Sequence, residues 1–204
     1  IKILIFFTML TLLPSFIIMF TSFTRITVVF SLLKNAIGAQ QSIPSQILVG
    51  LAIFLTIFIM QPVYTEINEV ALKPYSNEEI TFEQALENAS NPIKDFMLKE
   101  TRQKDLELFV DAAKLNSGEL TRKNIPLYSI VPAFAISELK TAFQIGFLLF
   151  VPFMVIDMIV ASVLMSMGMM MLPPTVISLA FKLLLFVMVD GWNLIVKSLI
   201  TSFS

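Results

Sequence analysis

Hydrophobic and polar positions along the chain separate into four apolar stretches, at about residues 3–33, 47–63, 130–168 and 176–203, with a polar, charged block between the second and third. A membrane-crossing helix needs roughly 20 mostly apolar residues, so each long stretch predicts a helix of that kind. The first contains Pro14 and Arg25 and is expected to close near Gly38, where a glycine can take the left-handed conformation that ends helices. A polar turn from Lys34 to Ser45 follows, and Ile47–Val63 returns. Residues 1–63 therefore read as one helical hairpin.

The block 64–125 carries different signals. Thr81 and Gln84 have capping-box spacing, and Asn91 before Pro92 suggests a second helix start. Leu106, Phe109, Val110 and Ala113 recur at helical spacing, predicting an amphipathic helix in a small water-exposed insertion. The third apolar stretch opens at Val131 and Pro132 and is expected to be interrupted at Pro152. It ends in Met167, Gly168, Met169, Met170, Met171, Leu172, Pro173 and Pro174. Tandem prolines forbid helix continuation, so a new helix is expected from about Thr175. Residues 126–204 thus form a second hairpin with a methionine-rich tip. The predicted fold is all-α: an integral membrane protein of two long hairpins and a helical insertion.

Composition sharpens this pattern. Of the 204 residues, 56% are hydrophobic and 14% charged, with mean hydropathy +0.83, against about 25% charged in ordinary soluble domains. Twelve of 15 acidic and eight of 14 basic residues fall in 64–125, which leaves the hairpins nearly uncharged. The chain has no Cys and no His, removing disulfides, thiolate nucleophiles and the commonest general base and metal ligand. A net charge of −1 without a basic cluster argues against nucleic-acid binding. The start at Ile1 rather than Met suggests a removed leader; residues 3–20 are too long for a secretory h-region and lack a small-residue cleavage pattern. Placing the middle block outside the cell membrane puts Lys34 and the Met-Pro tip on the cytoplasmic side.

Six of the charges inside the apolar stretches are hard to dismiss: Arg25, Glu138, Lys140, Asp157, Lys182 and Asp190. At a bilayer centre each would cost about 2.5–3.5 kcal/mol, so each should face protein, water or a partner chain. Ion pairing between helices or subunits is the plainer reading; a proton relay or selectivity ring is the functional one. Asp190 and Lys197, seven apart, lie nearly on one helical face, and Lys182 and Asp190 are about 80° apart on the wheel; pairing within one helix is too distant, so partners must come from elsewhere. The methionines also have two readings. They can be adaptable packing, or, at an exposed hairpin tip, flexible thioethers that close around a passing polypeptide; the tip geometry favours the seal. No nucleophile elbow, P-loop, zinc motif or nucleotide fingerprint is present, so neither an enzyme nor a cofactor is expected. An ion-coupled transporter relaying through Asp157 and Asp190, and a scaffold that never touches substrate, are the rival classes.

The strings TSFTRITVVFSLLKNAIGAQQSIPSQILVGLAIFLT at 21–56, PAFAISELKTAFQIGFLLFVPFMVIDMIVASVLMSMGMMMLPP at 132–174 and ISLAFKLLLFVMVDGWNLI at 177–195 closely resemble the FliP/SctR family of type III export subunits. The wording SELKTAFQIGF and MSMGMMMLPP is nearer the flagellar branch than the virulence-secretion one. The resemblance implies a core subunit of a gate that passes unfolded flagellar proteins across the bacterial inner membrane at the flagellar basal body. It implies five copies assembling into a helical oligomer with FliQ and FliR, with FlhB and FlhA nearby, a periplasmic middle block and a cleaved signal peptide. A methionine gasket would map to Met169, Met170 and Met171, with Met167 adjacent. Arg25, Glu138, Lys140, Asp157, Lys182 and Asp190 would be inter-subunit contacts in hairpins lifted largely out of the bilayer.

Overall fold

A computed structural model describes residues 7, 11, 14–40, 42–114, 124–169 and 172–203, and among them every regular element is helical. In chain order these are α1 (Pro14–Phe20), α2 (Phe23–Ile37), α3 (Ser45–Ile59), α4 (Gln61–Ile67), α5 (Lys73–Ser76), α6 (Phe82–Glu100), α7 (Gln103–Ala112), α8 (Leu127–Ser166), α9 (Pro174–Met188) and α10 (Gly191–Thr201). A π-helical turn, Asn68–Leu72, joins α4 to α5. Among the described residues α8 alone is long and apolar enough by itself to cross a membrane, or up to four spans arise if each bent pair of helices counts as one. The chain divides into two compact units: Ile1–Thr24 with Phe54–Lys140, and Arg25–Ile53 with Thr141–Ser204.

In the first unit Met97 and Leu98 of α6, Val110 of α7, and Ile125, Ile130 and Phe134 form the core. Phe96 and Phe134 meet edge to face at 5.9 Å. The start of α6 is set as expected, with Thr81 Oγ1 accepting from the Gln84 N–H at 3.3 Å and Gln84 Oε1 accepting from the Thr81 N–H at 3.0 Å. The second start expected at Asn91 does not exist. Helix α6 runs through Pro92, at a local cost of about 3 kcal/mol for the lost backbone bond and ring clash. Burial of Pro92, Met97 and Leu98 on the same helix offsets it, at about 1.5–3 kcal/mol for each large apolar side chain. Helix α7 is amphipathic as predicted and buries Val110.

In the second unit α2 buries Ile26, Val29, Phe30, Leu33, Ala36 and Ile37, the spacing of a single helical face. It ends in a Schellman motif: Gly38 has φ +82°, its N–H donates to Asn35 O at 3.1 Å, and the Ala39 N–H donates to Lys34 O at 3.2 Å. Gly146 lies against α2 so closely that an added Cβ would come within 2.2 Å of Leu32 Cδ1. Small residues at such crossings let helix backbones approach.

Three expectations about continuity are corrected. The first apolar stretch breaks at Thr21–Ser22, between α1 and α2. The fourth is two helices, α9 and α10, bent by 64°. The interruption at Pro152 is absent, because α8 stays helical for 40 residues through both Pro132 and Pro152. At 1.5 Å per residue it is about 60 Å long, twice the thickness of a bilayer core.

Candidate functional site

The methionine turn is built by the C-terminus of α8. Gly168 has φ +73°, its N–H donates to Met165 O at 3.1 Å, and the Met169 N–H donates to Leu164 O at 3.0 Å. This is the same Schellman geometry as at Gly38, and it requires a residue without a Cβ penalty. On the far side Pro173 is extended and Pro174 opens α9, where a missing N–H leaves nothing unsatisfied. The turn is therefore defined from both ends by backbone chemistry. Met167 and Met169 stand out from it, 66% and 41% exposed; Met170 and Met171 lie outside the described residues.

Behind the turn, α9 buries Ser178, Lys182 and Phe186 along one face. Lys182 Nζ donates to Asp157 Oδ2 of α8 at 2.6 Å and to the Ala36 carbonyl of α2 at 3.1 Å. Ser178 Oγ donates to Asp157 Oδ1 at 2.5 Å. Ala36 belongs to the last turn of α2, whose carbonyls lack helical donors and carry the negative end of the dipole, so an ammonium there is doubly favoured. One lysine thus ties three helices. Its side chain is 7% exposed, whereas Asp157 is 36% exposed and keeps one edge toward the surroundings.

Arg25, 2% exposed, performs a similar service at the end of α10. Its Nη1 donates to Ser202 O at 2.9 Å and to Ser202 Oγ at 3.0 Å, and its guanidinium lies 3.7 Å from the centroid of the Phe203 ring. A terminal carbonyl and an aromatic face are both good receivers of a planar cation. Arg25, Asp157 and Lys182 accordingly have partners inside a single chain.

The first unit holds a different cluster. Ser137 Oγ donates to Asp105 Oδ2 at 2.6 Å and accepts the Arg102 N–H at 3.1 Å, and the Arg102 guanidinium pairs with the same carboxylate. The Ser137 hydrogen bond, then Arg102, hold the Asp105 carboxyl below its ordinary pKa against the opposing effect of burial. Exposed Lys140 adds attraction from one side. Arg102 Nε is buried without an acceptor. Glu138 is wholly buried. Asp105, Arg102 and Ser178 were not singled out in the sequence as site residues. For Ser178 a signal existed in its spacing of four from Lys182, and for Asp105 in its spacing of three from Arg102; the link to Ser137, 32 residues away, left none.

Asp190 stands apart from these networks. It is exposed, has φ +52°, and its side chain caps nothing.

Comparison with known proteins places these features in a family. The FliP family model matches residues 6–199. The chain is 57% identical over 203 residues to the flagellar biosynthetic protein FliP of Bacillus subtilis, covering all of this chain and 91% of that protein. It is 51% identical over 204 residues to the Aquifex aeolicus protein of the same name, covering 85% of it. Against the Buchnera aphidicola protein from Acyrthosiphon pisum, also so named, it is 53% identical over 201 residues, spanning 53% of that longer protein.

Proposed function

The chain belongs to the FliP family, and from that premise we propose that it is a membrane-embedded core subunit of the flagellar protein export gate. Its role is a passage for polypeptides, not catalysis. Copies of the chain, five in number, assemble with FliQ and FliR, near FlhB and FlhA, in the inner membrane at the flagellar basal body. Residues 1–63 and 126–204 are the apolar hairpins of that assembly, and 64–125 the periplasmic insertion. The broad apolar exterior of the second unit supports the reading, since Phe147, Leu148, Met158, Val187 and Met188 are all exposed and require lipid or neighbouring subunits to cover them.

The observation that carries the mechanism is the exposure of Met167 and Met169 beside the helix end at Gly168, with Pro173–Pro174 opening the next helix. Thioether side chains are flexible and apolar, so a ring of them excludes hydrated ions yet yields to an unfolded chain of any sequence. Met169, Met170 and Met171, with Met167 beside them, are the gasket in this reading. Replacing Met169–Met171 with alanine in the assembled gate is expected to raise resting ion conductance severalfold in planar bilayers. Conductance unchanged from the parent would refute the gasket.

A further inference from the structure

Twelve methionines hold every sulfur atom of this chain, which has no Cys to compete for an oxidant. A thioether takes up one oxygen to become a sulfoxide wherever a suitable donor reaches it, so exposure sorts the candidates. Met60 and Met97 are buried and out of reach in the folded chain. Met19, Met154, Met158, Met165 and Met188 are exposed, but each stands among exposed aliphatic or aromatic side chains. Such surfaces need lipid or neighbouring subunits to cover them.

Met167 and Met169 are placed differently. They flank Gly168, where α8 ends and its apolar surface stops. A Cβ added to Gly168 would meet no atom within 4 Å, so that side of the turn is open. The backbone beneath is nevertheless held. The Met167 N–H donates to Val163 O at 3.1 Å and the Met169 N–H to Leu164 O at 3.0 Å, and Met169 O accepts from the Leu172 N–H at 3.4 Å. A fixed backbone in open surroundings keeps both thioethers presented to whatever fills the space outside the turn. In an export passage that is water and the polypeptides in transit.

Resting on the gate reading, we propose that Met167 and Met169 form a reversible oxidation site through which a two-electron oxygen donor opens the resting seal. Hypochlorous acid is such a donor. Its oxygen goes to the thioether sulfur, which loses two electrons; the chlorine gains them and leaves as chloride, with a proton. A flexible apolar side chain becomes a polar, chiral one. An apolar ring holds ions back because it offers them nothing in exchange for their water. The sulfoxide oxygen is a hydrogen-bond acceptor that offers that exchange, so the constriction wets and conducts. The return step is also balanced. A methionine sulfoxide reductase, one for each sulfoxide epimer, restores the thioether and releases water while two thiols become a disulfide. Oxidant exposure is thus read out as a leak that closes on repair.

The test treats the assembled gate in planar bilayers with hypochlorous acid, takes resting conductance as the ratio of after to before, and maps sulfoxides by mass spectrometry. In the parent, sulfoxide is expected at Met167 and Met169 ahead of the other described methionines. Conductance should rise severalfold and return when both reductases are added, a reversal that needs no variant. Met167→Leu combined with Met169→Leu removes both sulfurs at nearly constant volume and should at least halve the rise; the ratio is independent of the variant's own baseline. Sulfoxide forming first at other sites, a conductance that ignores oxidation or repair, or a double variant that responds like the parent would overturn the proposal. If alanine at Met169–Met171 raises conductance while oxidation does not, this inference fails and the gate reading stands. If the alanine variant conducts like the parent, the gate reading fails, and the sulfoxide map still decides whether these two sulfurs are the reactive ones.

Discussion

The two units handle embedded charge in opposite ways. In the second, few ions are present and two are sequestered: Lys182 reaches a carboxylate and a helix-terminal carbonyl while 7% exposed, and Arg25 caps α10 beneath Phe203. In the first, charges are plentiful, and the Asp105–Arg102–Ser137 cluster sits nearer the surface, Arg102 being 33% exposed and its Nε lacking an acceptor. The contrast follows from solvation. Where water can share the load, a pair contributes little and tolerates an imperfect shell. Where it cannot, removal of one partner strands the other in a medium that will not accept it. The buried network around Lys182 therefore matters more to its unit than the partly exposed Asp105–Arg102 pair does to the other.

The strongest way to break that contrast is Lys182→Ala, which strands Asp157 and leaves the Ala36 carbonyl without its donor. The loss is expected near the lower end of the 3–5 kcal/mol typical of broken buried pairs, because Asp157 is 36% exposed. Thermal unfolding of the detergent-solubilised chain measures it, and a change below about 1 kcal/mol would show that the network is dispensable. Arg25→Gln comes next, expected to cost about 2 kcal/mol, the range for hydrogen bonds to charged groups. Its effect should be concentrated in faster amide exchange over the last turn of α10.

Asp105→Asn should be smallest, about 1 kcal/mol or less, and it carries a pH signature. The Asp105 carboxyl has a folded pKa below its ordinary 3.8. Its contribution to stability is therefore complete above that value and is lost as pH falls below it, through the folded pKa. Amide exchange in α7 should accelerate in acid for the parent chain more than for Asp105→Asn. Equal acceleration in both would show that this carboxylate does not anchor α7.

Much of the helical layout was legible because the signals are local. The capping box at Thr81, the helix end at Gly38 and the Pro-Pro limit after the methionines depend on residues within four positions of one another. Other features misled for the same reason. Pro92 and Pro152 are breakers by intrinsic preference, yet α6 and α8 continue through them, because lateral packing and apolar surroundings outweigh one missing backbone bond. The breaks at Thr21–Ser22 and at Val189–Asp190 fall at short polar interruptions inside longer apolar runs, which periodicity alone does not mark as helix ends.

The amino-acid sequence by itself determined that the chain is helical, that its apolar blocks flank a charged one, and that a methionine turn lies between a glycine and two prolines, since propensity, capping and hydropathy act over one or two turns. Only the tertiary structure decided which ions are satisfied within the chain. Lys182 meets residues 25 and 146 positions away, and Arg25 one 177 away, while Asp190 and Lys197, on the same apolar hairpin, meet none among the described residues. Those outcomes depend on how helices cross, and a crossing is set by the shapes of many side chains at once.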